Sequence, residues 1–201
     1  MPRRIFPGLA RAPHAAAIAA VAVCLAVAGE ATADAAAGAR LAAARCLSCH
    51  ASTEAAHATV PRLEGQPKAA FLAQWQAFRD RRRAAPVMVG LADELSENDV
   101  HDLAEHYAAL PPQAPQASDN DAGRALAARL RCAECHGNAF HGTSAGTARL
   151  AGQKARYTAW SLQLMRAGSR AHGSASKPDP LLADLTNAEI DALAEHFASL
   201  R

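Results

Sequence analysis

The chain has 201 residues, half of them apolar and only 4% aromatic, with 21 Lys+Arg against 19 Asp+Glu. That is enough apolar material for one packed domain or two small ones, and the near balance of charge excludes bulk attraction to nucleic acid or an anionic membrane. Alanine is abundant and β-branched residues are sparse, which predicts an all-α fold.

The first 33 residues read as a cleavable export signal. Arg3, Arg4 and Arg11 give a basic start, residues 15–28 are apolar without a charge, and Ala31-Thr32-Ala33 offers a small-residue cleavage site before Asp34. The apolar run is shorter than the roughly 18–20 residues of a membrane span, so no transmembrane segment is expected in the mature chain. Cleavage would remove Cys24, leaving four of the five cysteines, and would leave 18 basic and 18 acidic residues once Arg3, Arg4, Arg11 and Glu30 are gone.

Those four cysteines fall in two copies of one motif. A helical stretch over 36–49 runs into Cys46-Leu47-Ser48-Cys49-His50. Cys-x-x-Cys-His is the attachment signature of a c-type haem. Two thiols separated by a two-residue gap reach both vinyl groups, and the adjacent histidine lies under the ring, where its imidazole can bind iron. The two cysteine pairs are too far apart for a zinc ribbon, whose pairs lie roughly 15–20 residues apart. Beyond the motif, Pro61 and Leu63-Glu64-Gly65-Gln66 precede a helical stretch over 68–83 that ends in the basic run Arg79-Asp80-Arg81-Arg82-Arg83. Met88 follows in a segment, 84–90, read as a loop, and is the natural sixth iron ligand because methionine sulfur favours ferrous iron. Ser96 to Asp99 then carries a helix-start signal ahead of a closing helix through Leu110.

Residues 111–117, proline-rich and uncharged, predict an extended linker. After it the pattern repeats. Residues 121–135 form a helical lead with Asp121 placed for capping, and Cys132-Ala133-Glu134-Cys135-His136 is the second haem motif. Leu150-Ala151-Gly152-Gln153 precedes a helical stretch over 154–168, and Thr186 to Glu189 opens a closing helix that matches the first. Trp75 and Trp160 are expected to pack in the core or on haem. The second copy departs from the first at two places. Pro61, whose carbonyl can accept the proximal histidine's free N–H, becomes Ala148, so the second copy is expected to lack that carbonyl position. The methionine segment becomes a longer, methionine-free stretch over 171–180. The second sixth position stays open between Lys177, His172, Met165 and a water-filled or open site, with His141 a weaker candidate.

Cys-x-x-Cys-His, then Pro-x-Leu-x-Gly-Gln, a methionine and a final Leu-Ala-x-x-(Tyr/Phe) helix resemble class I cytochrome c. Two copies behind an export signal resemble the di-haem cytochromes of the cytochrome c4 type. The resemblance implies two tandem domains, 34–110 and 118–201, each wrapping three main helices around one covalent haem. It implies that Cys46, Cys49, Cys132 and Cys135 attach the haems, that His50, Met88 and His136 bind iron, and that the Pro61 carbonyl bonds His50. It also implies a periplasmic carrier of single electrons between redox proteins, among them membrane-bound oxidases or dehydrogenases. Two alternatives are a haem subunit of a larger oxidoreductase and a small-substrate enzyme using an open second iron.

Overall fold

The computed structural model describes Met1 and residues 33–50, 58–115, 120–173 and 179–201, and Ala31–Arg201 forms one compact unit. The proposed signal segment and Lys177 fall outside the described residues, apart from Met1 and Ala33. The described residues hold nine helices and no strand, with one isolated bridge between Arg83 and Arg170. The all-α reading therefore holds.

Helix α1 (Ala35–Arg45) starts where the Asp34 side chain accepts the Ala36 amide, a standard way of satisfying a helix's orphan donors. A break at Cys46 separates it from the short α2 (Leu47–His50). α3 (Lys68–Arg79), α4 (Pro86–Glu94) and α5 (Glu97–Ala109) follow. The same order returns as α6 (Asp121–Arg129), α7 (Ala133–His136), α8 (Ala155–Arg166) and α9 (Asn187–Ser199). Ser96 and Thr186 each close a reciprocal capping box, with Asp99 and Glu189 as third residues.

In both halves the first long helix crosses the last at a glycine. A Cβ on Gly38 would run into the Asp102 carbonyl, and one on Gly123 into the Ala192 carbonyl. The contact between α1 and α5, and between α6 and α9, thus depends on a missing side chain. One core gathers Ala42, Trp75, Phe78, Leu103 and Tyr107, and a second gathers Ala127, Leu182, Ile190, Leu193 and Phe197.

Several local expectations are corrected. Met88 is not in a loop: it is the third residue of α4, which Pro86 opens from a position where a missing N–H costs nothing. Asn120, not Asp121, caps α6, because its side chain accepts the Gly123 amide. The long helices end earlier than 83 and 168. Arg81 (φ 58°) and Gly168 (φ 73°) turn the chain into the left-handed region after α3 and α8. At Arg81 an arginine occupies the place that glycine fills in the second half, and its guanidinium holds Asp93. Trp75 is buried, but Trp160 is 41% exposed and does not belong to the core.

Two candidate haem sites

The two motifs present the same local geometry. His50 lies at the end of α2 and His136 at the end of α7, both buried. His50 donates its Nδ1 hydrogen to the Pro61 carbonyl at 2.9 Å, and His136 donates to the Ala148 carbonyl at 2.8 Å. That fixes each ring and leaves Nε2 as the free, basic nitrogen, the arrangement that metal-binding imidazoles adopt. Burial lowers both imidazole pKa values, with the carbonyl bonds acting the other way. The neutral ring is the form that can bind a metal.

The second half was expected to lack the carbonyl partner because Pro61 is replaced. It does not. Ala148 supplies the same bond, because a backbone carbonyl needs only the chain's path and not a proline side chain.

Cys46, Cys49, Cys132 and Cys135 are not joined by disulfides, so each pair is available for attachment to a cofactor. Burial pushes the Cys46 and Cys132 thiols up. Trp75 buries an indole N–H with no hydrogen-bond partner among the described residues, and the buried Tyr107 hydroxyl bonds the Cys46 sulfur. A buried donor of this kind normally finds a partner, so a cysteine pair, a poised imidazole and the orphaned Trp75 N–H together fit a bulky cofactor that carries acceptors.

The candidates for the sixth positions lie in different settings. Met88 is half-buried and packs against the first core. Met165 packs against the second core from within α8, as expected of a core methionine. His141 is exposed and its Nε2 contacts the Arg201 carbonyl, which removes it from the second site. His172 is half-buried, and its Nδ1 donates to the carboxylate of Asp179 at 2.5 Å; Asp179 itself is 3% exposed.

The two halves also meet through a set of residues that sequence reading left unassigned. The Gln66 side chain brackets the backbone of Arg149, accepting its amide and donating to its carbonyl. Gln153 does the same to Arg62. These are the two glutamines of the repeated Gly-Gln pair, exchanged across the halves. The repetition was legible, but the exchange was not. Arg83 and Arg170 converge on the buried Tyr157 hydroxyl and share the Gln74 carbonyl oxygen. Burial alone would raise the Tyr157 phenol, but the two guanidiniums outweigh it and bring it down to about 7. Neither guanidinium has a carboxylate partner among the described residues.

Known proteins carry the same pattern. Residues 120–201 match the family model for cytochrome c, and residues 33–106 match that for cytochrome c oxidase, cbb3-type, subunit III. The chain is 30% identical over 177 residues to the thiosulfate dehydrogenase electron acceptor of Stutzerimonas stutzeri, covering 81% of this chain and 82% of that one. It is also 30% identical over 179 residues to cytochrome c4 of Pseudomonas aeruginosa, covering 83% and 89%. Reduced cytochrome c4 from Pseudomonas stutzeri superposes with a TM-score of 0.70 at 26% identity, over 83% of this chain and 97% of that one. A thiosulfate dehydrogenase from Marichromatium purpuratum gives 0.69 at 32% identity, with only 40% of its longer chain covered. With the repeated haem motif, the two-core helical fold and these relatives in agreement, the chain belongs to the di-haem, cytochrome c4-like family of electron-transfer cytochromes c and carries two covalently attached haem c groups.

Proposed function

We propose that this cytochrome is exported and works in the periplasm, relaying single electrons between a soluble or membrane-bound donor and an acceptor. Residues 1–33 are then a removed signal, 34–110 and 118–201 the two haem domains, and 111–117 their linker. Cys46 and Cys49 hold the first haem and Cys132 and Cys135 the second, with His50 and His136 as proximal ligands and Met88 as the distal ligand of the first. The observation that carries this is the pair of matched imidazoles, each with Nδ1 tied to a carbonyl and Nε2 left free. Among the described residues no helix is long and apolar enough to cross a membrane.

A bound haem supplies a one-electron ferric/ferrous couple. This chain's residues do the rest. The thiols anchor the group, the Pro61 and Ala148 carbonyls set the basicity of the proximal rings, and the two cores exclude water. Mass spectrometry of the exported protein tests the assignment: a chain starting at Asp34 plus two haem masses is expected. Loss of haem from a Cys46→Ala, Cys49→Ala variant should be confined to one of the two. Retention of both haems in that variant would exclude these attachment points.

A second reading, a haem partner of a thiosulfate-oxidising enzyme, is favoured by the names of the relatives from Stutzerimonas stutzeri and Thiomonas intermedia. Reduction of the purified protein by such an enzyme and thiosulfate, compared with reduction by a quinol-oxidising complex, separates the two partners.

A further inference from the structure

We infer that His172 is the distal ligand of the second haem iron, aimed by Asp179, so that this haem is held by two histidines. The inference rests on the attachment of that haem at Cys132, Cys135 and His136. Its own evidence is geometric. The imidazole rings of His136 and His172 lie close together, with centroids 6.0 Å apart and planes within 21° of parallel. Two metal–nitrogen bonds of about 2 Å each, plus the depth of two imidazole rings, put the centroids of trans ligands roughly 6 Å apart. Rings stacked in direct van der Waals contact would instead overlap their faces at close to half that spacing or slide far sideways.

Both rings are also oriented for the task. Each spends Nδ1 on a fixed acceptor, the Ala148 carbonyl for His136 and the Asp179 carboxylate for His172, which leaves Nε2 free on each. A carboxylate behind a ligating histidine fixes its tautomer and raises its basicity.

Asp179 is itself locked. It is buried, its Oδ1 accepts the Leu181 amide at 2.9 Å, and its own amide donates to the Met165 carbonyl at 3.3 Å. The methionine that α8 does provide is thus used to anchor the residue behind His172, through its backbone. Among the described residues the first half shows no equivalent dyad: there Met88 lies at the start of α4.

Two consequences follow. The second iron is closed, which argues against a small-substrate enzyme. And because imidazole stabilises ferric iron relative to methionine, the second haem has the lower potential and passes electrons to the first.

The test uses the intact di-haem protein and reads spin state and potential. In the wild type both ferric haems should be low-spin, with a methionine-to-iron charge-transfer band of one-haem intensity. His172→Ala should turn one haem of two high-spin and let it bind carbon monoxide when reduced, with added imidazole restoring the low-spin spectrum. His172→Met should raise the potential of that haem alone. Asp179→Asn should keep it low-spin while shifting its potential upward, a change that a merely structural carboxylate would not produce. A His172→Ala protein that keeps two low-spin haems with unchanged potentials overturns the inference and passes the role to Lys177. A protein with fewer than two covalent haems would instead fail the attachment reading beneath it.

Discussion

At the scale of single residues, the two haem sites show which features depend on side-chain identity and which do not. The proximal bond is made by a carbonyl, so proline and alanine serve equally. Pro61→Ala should therefore retain the haem, leave the potential of the first site nearly unchanged, and lower stability by about 1 kcal/mol or less through the freer unfolded chain. Voltammetry and thermal unfolding check both halves of that statement. The distal position behaves differently, because there the donor atom is the side chain. Met88→Ala should abolish the charge-transfer band of the first haem and lower its potential, while the second haem keeps its spectrum. An unaltered band in that variant would remove Met88 from the iron.

At the scale of elements, the closing helices α5 and α9 are secured at their first turns. The Ser96 hydroxyl and amide hold the Asp99 carboxyl below its ordinary value, and the Thr186 amide and hydroxyl do the same for Glu189. A carboxyl whose folded pKa is depressed contributes stability that is complete above its unfolded value, near 4, and lost as pH falls through the folded one. Both side chains are partly exposed to solvent, so the effect is small and confined to acid. The melting temperature of wild type should fall more steeply below about pH 4 than that of a Ser96→Ala, Thr186→Ala double variant. At neutral pH that variant should lose about 1 kcal/mol per cap. Parallel pH profiles for the two proteins would show that the boxes carry no linkage.

At the scale of the whole molecule, the exchanged glutamines make the two halves one body. Gln153 is 5% exposed and satisfies both the amide and the carbonyl of Arg62, so truncation strands two polar groups. Gln153→Ala should cost about 1–3 kcal/mol. Gln66 is less buried, and Gln66→Ala should cost less. With both removed, unfolding should separate into two transitions, and electron exchange between the haems should slow, because the distance between them is no longer fixed. Calorimetry and rapid-mixing reduction kinetics of the loaded protein report these changes. A single unshifted transition in the double variant would show that the Arg83, Arg170 and Tyr157 cluster suffices to join the halves.

The local features of this protein were written in its sequence. The two haem motifs, the helical class and the repeat follow from short-range patterns, because two thiols and an imidazole must sit at fixed spacing and apolar residues must recur at helical period. Cap signals at Ser96 and Thr186 were equally local. What depended on chain path was not legible. Ala148 was misjudged because a carbonyl's direction is set by backbone course, and Met88 because a short helix opening on proline resembles a loop in sequence. The exposure of Trp160 was not legible because the side of α8 that faces outward is decided by what packs beside it. His172 stands among several candidates in the sequence; only the fold lays its ring nearly parallel to that of His136, 36 residues earlier, with a buried carboxylate behind it, and the proposed ligation rests on that placement. Residue type limits which atoms can bind a metal; only tertiary packing decides which of them meet.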